Sequence, residues 1–151
     1  MKMKLYEAQL DEALEAQLIA FSRDWEAEDS CRGYRANARE DFREQRVFLA
    51  EEKGELIGYL FGHAERAKET SSVMCADTPY FEIEEIYIVP ARRSQGVGRA
   101  LFRFVEQTLR DEGLTYLMLS TATKNARAIL HFYLDELDMT FWSARLFKRL
   151  E

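Results

Sequence analysis

The stretch Tyr80–Glu112, YFEIEEIYIVPARRSQGVGRALFRFVEQTLRDE, decides the fold. Its first part, Phe81–Val89, is apolar, β-branched and aromatic, with Glu82, Glu84 and Glu85 embedded. Such a run predicts a strand covered on both faces. Pro90 stops it, because proline cannot donate to a ladder. Arg92-Arg93-Ser94-Gln95-Gly96-Val97-Gly98 then makes a turn. Beyond it, Ala100, Leu101, Phe104, Val105, Thr108 and Leu109 recur at three- and four-residue spacing, which predicts a helix.

A strand, a glycine-bearing turn and a helix start form a pocket for anions. The first helical turn has backbone N–H groups without partners, and the helix dipole favours negative charge there. Glycine at 96 and 98 lets a ligand approach the main chain with no Cβ in the way. Arg92, Arg93 and Arg99 add positive charge. An ordinary helix start would leave that clustering of arginines without a reason. A phosphate or pyrophosphate is the expected ligand.

The triphosphate signature Gly-x-x-x-x-Gly-Lys-[Ser/Thr] is absent. Gly96-Val97-Gly98-Arg99-Ala100-Leu101 lacks the third glycine of the dinucleotide fingerprint. Arg93-x-x-Gly96-x-Gly98, directly after a strand ending in Val89-Pro90, resembles the acyl-CoA signature of the GCN5-related N-acetyltransferase (GNAT) family.

Length and composition agree with a soluble protein. The 151 residues predict one domain spanning 1–151, with room for a core. No apolar run is long enough to span a bilayer, and Asp11, Glu12 and Glu15 interrupt any signal-peptide h-region, so the expected location is cytoplasmic. Cys31 and Cys75 have neither disulfide nor zinc spacing, and no metal is expected. A net charge of −6 argues against nucleic acid as a partner and tilts the expected substrate towards a cation.

In chain order, Met3–Ala8 reads as a strand and Asp11–Phe21 as a helix. A charged link follows, with helix resuming over Arg35–Gln45. Arg46–Glu51 and Leu56–Ala64 form a hairpin through Lys53-Gly54. Gly58 and Gly62 within its second strand predict a bulge or a close backbone neighbour. A polar loop, Arg66–Pro79, leads to the key strand. After the key helix, Gly113 ends the segment and Leu114–Ser120 forms a strand parallel to Phe81–Val89. Asn125–Tyr133 reads as a helix, and 139–142 and 144–150 as a final strand pair that offers a surface for a homodimer.

This order is the order of the GNAT family, and the resemblance covers nearly the whole chain. It implies an α/β (α+β) fold: a mixed, mostly antiparallel sheet flanked by helices and splayed between two parallel central strands. The pantetheine arm of acetyl-CoA would enter the gap. The resemblance assigns the oxyanion-stabilising amide to Tyr87–Val89, with Ile88 preferred and Val89 beside it. It assigns the pyrophosphate to Ser94, Gln95, Gly96, Val97, Gly98 and Arg99, assisted by the side chain of Arg93 or Arg99. Asn125 begins the Asn-x-x-Ala pattern of the cofactor side. For the base it offers Glu84, then Glu85, then Glu82. Adjacent Glu84 and Glu85 point to opposite faces of a strand unless a bulge intervenes. Tyr133 would be the acid, although the usual spacing falls on Phe132; an extra residue in a π-bulge, or a tyrosine turned away, would account for the offset.

The function implied is N-acetyl transfer from acetyl-CoA to a primary amine, either a small cationic molecule or a protein amino group. The alternative is a non-catalytic acyl-CoA-binding regulatory module of the same fold.

Overall fold

A computed structural model describes residues 2–151. The key strand, β4 (Pro79–Ile88), lies fourth in a five-stranded sheet of order β1-β2-β3-β4-β5. β1 (Lys4–Ala8), β2 (Arg46–Glu52), β3 (Glu55–Arg66) and β4 pair antiparallel in sequence. β5 (Leu117–Leu119) pairs with β4 in parallel, as a strand–helix–strand crossover requires.

Alternation along the strands divides the core between two faces. On one, Phe48, Leu60, Phe81 and Ile83 pack against α2 (Val97–Asp111) through its Leu101, Phe102, Val105 and Leu109. These helix positions recur at three- and four-residue spacing, and burying each is worth about 1.5–3 kcal/mol. On the other face, Val47, Leu49, Tyr59, Phe61 and Tyr87 pack beneath Leu18 of α1 (Glu12–Glu28) and Phe42. Asp11 caps α1 by accepting from the Leu14 amide at 2.7 Å. α2 ends at Glu112, and Gly113 takes the left-handed conformation (φ 90°) that glycine tolerates after a helix.

Four sequence expectations change. The strand expected over Leu114–Ser120 shortens to Leu117–Leu119. α1 runs to Glu28, beyond the predicted end at Phe21. The helix expected over Arg35–Gln45 shrinks to one 3-10 turn, Arg39–Phe42. Tertiary hydrogen bonds hold the residues before it extended: the Ala36 amide donates to Glu26, and the Asn37 amide to Ser22 Oγ. Local helix propensity cannot register such long-range partners. The final strand pair is absent. Residues 138–151 are irregular, and among the described residues 140–151 make no backbone–backbone hydrogen bond. Their apolar pattern is that of buried strands, but no ladder receives them.

The register of β3 on β4 shifts between Phe61 and Gly62: Phe61 faces Glu85 and Gly62 faces Ile83, leaving Glu84 as the extra residue of a bulge. On the other side of β4, only Phe81, Glu82 and Ile83 pair with β5. The strands part from Glu84 onward, while β4 continues to Ile88.

Candidate active site

The gap between β4 and β5 opens beside the bulge and leads to the glycine turn. Val89 donates its amide to Ile57 O at 3.0 Å, across to β3. Amides alternate sides along a strand, so those of Tyr87 and Val89 face β3, and those of Ile86 and Ile88 face the gap. Of the predicted segment Tyr87–Val89, Ile88 therefore presents its N–H to the gap, and Val89 does not. Ile86, nearer the point of parting, is a second gap-facing amide that the spacing did not single out.

After β4, Pro90–Arg92 forms a 3-10 turn and the chain reverses through Ser94 (φ 60°) and Gly96 (φ 84°) into α2. Gly96 is the N-cap and offers no side chain. Among the described residues, the amides of Ser94, Gln95, Gly96, Val97, Gly98 and Arg99 have no protein acceptor. A Cβ at Gly96 would meet nothing within 4 Å. This row of open donors at the positive end of α2 is the arrangement that binds a diphosphate.

The arginines divide their work differently from the expectation. Arg92 makes a two-point pair with Glu52 at 2.6 and 2.8 Å and donates to Gln95 Oε1 at 3.1 Å. Arg93 grips Glu28 at the end of α1 (2.5 and 2.9 Å), donates to Ile88 O at 2.8 Å, and lies over the Tyr87 ring at 5.3 Å. Two of the three clustered guanidinium groups thus tie the turn to β2 and α1. Arg99 is exposed and has no ion-pair partner among the described residues.

The bulge gathers carboxylates. His63 sits opposite Glu82, and its Nδ1 lies 3.5 Å from Glu84 Oε1. Glu65 Oε1 lies 3.0 Å from His63 Nε2. Burial and the neighbouring Glu84 both raise the Glu82 carboxyl above its ordinary value, opposed by His63. Glu84 itself is 44% exposed in its side chain, at the point where the strands part.

Glu85 has a different setting. It is 9% exposed and accepts from Tyr59 Oη at 2.8 Å and from Asn37 Nδ2 at 3.0 and 3.1 Å. The Tyr34 hydroxyl is buried with no partner in good geometry, and burial, with the Glu85 charge adding, raises its titration. This polar knot fastens the extended segment around Asn37 to β4. Nothing in the spacing of Tyr34, Asn37 and Tyr59 announces it.

Removing the Glu85 carboxylate leaves Tyr59 Oη and Asn37 Nδ2 without their acceptor. Glu85→Ala should cost about 2–4 kcal/mol, read as a fall in Tm or denaturant midpoint. Burial raises the Glu85 carboxyl, so the folded state keeps this proton to higher pH than the unfolded chain does. Its contribution favours folding most below the ordinary glutamate range and fades as pH rises through the raised value. Glu85→Gln should flatten that part of the stability–pH curve; an unchanged slope would contradict the assignment.

On the far wall, Asn125 caps α3 (Ala126–Leu130) by accepting from the Ala128 amide at 3.4 Å. A π-helical turn, His131–Glu136, follows directly and carries Phe132 and Tyr133. The Phe132 ring lies over the glycine turn: a Cβ on Gly98 would stand 3.4 Å from Phe132 Cζ and 3.6 Å from Ile88 Cγ1. Tyr133 packs its ring against Phe132 at 5.2 Å and Phe102 at 6.5 Å. Burial, with the Cys31 thiol adding, pushes its hydroxyl up to about 12, so it keeps its proton at neutral pH.

The model of the acetyltransferase (GNAT) family matches residues 6–137, which include every residue of the candidate site. The chain belongs to the GNAT family. Among curated proteins no sequence matches. Among solved structures, an aminoglycoside acetyltransferase, meta-AAC0020, from an uncultured soil metagenomic sample, seen with sisomicin, shares 17% identity, with 99% of this chain and 97% of that chain covered and a TM-score of 0.67. AAC(6′)-Iy, seen with the bisubstrate analogue CoA-S-monomethyl-acetylneamine, shares 16% identity, with 100% and 99% covered and a TM-score of 0.67. A tetramutant of the BH1408 protein from Bacillus halodurans shares 19% identity, with 97% and 99% covered and a TM-score of 0.72. At these identities the likeness is one of fold: the GNAT arrangement of a mixed sheet splayed between two parallel strands and flanked by helices. Among the described residues no group of side chains suits a metal, and no helix is long and apolar enough to cross a membrane.

Proposed function

We propose that residues 1–151 act as one cytoplasmic N-acetyltransferase domain, which transfers an acetyl group from acetyl-CoA to a primary amine. The observation that carries this reading is the row of unpartnered amides from Ser94 to Arg99, set at the mouth of a sheet that parts at Glu84. Acetyl-CoA supplies the thioester; the chain supplies position, charge and proton transfer.

The Gln95–Arg99 amides hold the diphosphate, with Ser94 at the edge of the turn and the Arg99 guanidinium as the free cation. The gap-facing amide of Ile88, with that of Ile86 beside it, donates to the carbonyl oxygen as negative charge develops. Val89 contributes its side chain to the wall of the gap. Asn125 orients the helix that leads into Tyr133, and the protonated phenol of Tyr133 donates to the leaving sulfur in this reading. Glu84, exposed on the bulge, accepts the proton of the amine, directly or through water. Glu82, Glu84 and Glu65 together make this side acidic, which favours an amine carrying further positive charge. Solved structures of the same fold that hold sisomicin or an acetylneamine analogue agree with a small polycation, and a protein amino group is the other acceptor class.

Thiol release measured against a panel of amines, beside a CoA titration, tests the reading. Turnover on at least one amine class is the expected result. CoA binding without turnover on any class would assign the chain instead to a regulatory acyl-CoA-binding role, with Tyr133 a packing residue.

Arg99→Ala should weaken CoA about tenfold, the worth of one charge-assisted hydrogen bond. Arg93→Ala should act mainly on stability, because it leaves Glu28 without its partner. If CoA affinity falls for Arg93→Ala and not for Arg99→Ala, the division of roles is reversed.

A further inference from the structure

Acetyl transfer to an amine releases a proton that the site must dispose of. A primary alkylamine is an ammonium at neutral pH, with an ordinary value of about 10.4 for a lysine-like group. It gives up two protons on becoming an amide. The new N–C bond replaces the C–S bond, one proton ends on the coenzyme A sulfur, and the other goes to water. In the acetyl-transfer reading above, on which this inference rests, Glu84 takes that second proton and must lose it again in every cycle. A bound amine and thioester arm would cover Glu84 from the gap between β4 and β5. The open route for the proton is then on the β3 side.

His63 stands on that side, because β4 lies between β3 and the gap. It faces Glu82 in register, and the bulge brings the Glu84 carboxylate to the same ring. Its Nδ1 lies 3.5 Å from Glu84 Oε1 and 3.3 Å from Gln45 Oε1. The first distance is longer than a hydrogen bond, as catalytic contacts often are before substrate binds. Its Nε2 lies 3.0 Å from Oε1 of Glu65, two residues along the strand and so on the same face. The His63 side chain is 22% exposed and that of Glu65 43%, so these groups lead from the bulge to open water. The other titratable groups on this face are Glu82, Tyr80 opposite Glu65, and Glu85, which Tyr59 and Asn37 hold. Arg46, across from Gly62, commits its guanidinium to Glu7 and Glu112. Among the described residues no lysine or arginine pairs with Glu65, Glu82 or Glu84, so an imidazolium formed in passing meets a carboxylate at each nitrogen.

We propose that His63 relays the proton of Glu84 to Glu65 and so to water. With the ring neutral and its proton on Nε2, that N–H donates to Glu65, and Nδ1 offers its lone pair to Glu84. Protonated Glu84 gives its proton to Nδ1. The imidazolium gives its Nε2 proton to Glu65, which loses it to solvent. Exchange with water at the exposed edge returns the ring to its first tautomer. Glu84 is then a carboxylate again, ready for the next amine. His63 touches neither substrate and acts through Glu84, so it is a positioning residue, and its loss slows turnover without loosening either ligand.

Nitrogen NMR of the two histidines, His63 and His131, reads the tautomer directly, with His131→Asn assigning the signals. The neutral His63 ring should carry its proton on Nε2; a proton on Nδ1 would bar the transfer and overturn the proposal. In kinetics on an accepted amine, His63→Gln should lower kcat roughly 10- to 100-fold, at and below the low end of what a direct proton-transfer group contributes. KM for both substrates should hold, and the kcat–pH profile should lose the limb that coincides with the NMR titration of His63. His63→Ala should lose as much and regain activity with free imidazole, to which the wild-type chain should not respond. A packing role would show no such rescue. Should these variants fail to fold, Glu65→Gln, a change to an exposed side chain, should still slow kcat a few-fold, and unchanged kcat there overturns the relay. Unchanged kcat in folded His63→Gln, or a loss that imidazole does not repair, overturns the relay and leaves the transferase reading in place. A wild-type chain inert towards every amine overturns the transferase reading itself, and the relay with it.

Discussion

Glu84→Gln should lower kcat about 10²- to 10⁴-fold, the usual worth of a positioned general base. CoA affinity should stay unchanged, because Glu84 lies on the bulge and touches none of the Ser94–Arg99 donors. The pH profile should move as well. Glu84 is one of the charges that raise Glu82. Removing it lets Glu82 ionise at lower pH, so the acid limb of the residual activity shifts downwards. Steady-state kinetics across pH read both effects. Unchanged turnover at every pH would remove Glu84 from the mechanism and leave Glu82, half-buried and already raised, as the carboxylate to test next.

Gly62→Ala should be the most damaging single methyl in the sheet. A Cβ there would run into the Glu82 carbonyl oxygen, stand 2.6 Å from Phe81 Cε2 and 3.0 Å from Ile83 Cα. The obstacles are backbone and a fully buried ring, which cannot swing aside. Overpacking of this kind costs about 1–3 kcal/mol, and the forced shift of the β3–β4 ladder puts this case at the upper end. A loss of about 3 kcal/mol would lower Tm by roughly 6–12 °C in a chain of this length. Activity should fall further than stability alone explains, because the shift that relieves the clash moves the bulge carrying Glu84. Gly96→Ala is the contrast. It meets no atom within 4 Å, and the strain of φ 84° at a single residue is worth only about 1–2 kcal/mol. An equal loss from both variants would contradict the packing argument.

The parts of this fold written in local pattern are legible in the sequence. The run Phe81–Val89, the stop at Pro90, the two turn glycines and the spaced apolar residues behind them gave strand, turn and helix in the right order. Gly58 and Gly62 pointed to a bulge or a close backbone neighbour, and the register shifts at Gly62; the offset between Phe132 and Tyr133 left a π-bulge or a turned tyrosine, and a π-helical turn carries both. What stayed hidden depends on residues far apart in the chain. Arg92 and Arg93 read as ligand charges because their partners Glu52 and Glu28 lie 40 and 65 residues away. Asn37 sits in a stretch with helical composition, yet its side chain is held by Glu85, 48 residues on. Local propensity is worth tenths of a kcal/mol per residue, and a buried polar knot outweighs it. The C-terminal segment failed for another reason: its apolar pattern reads as strand, but among the described residues no ladder receives it.

Every role assigned to the site depends on the main chain after Pro90 receiving the diphosphate of coenzyme A. Calorimetric titration of the wild-type chain with CoA, and separately with pantetheine, which has the same arm and no diphosphate, measures that directly. CoA should bind at least about a hundredfold tighter, as several charge-assisted hydrogen bonds to the 94–99 amides and Arg99 require. Equal affinity for the two ligands, or no binding of CoA, would contradict it.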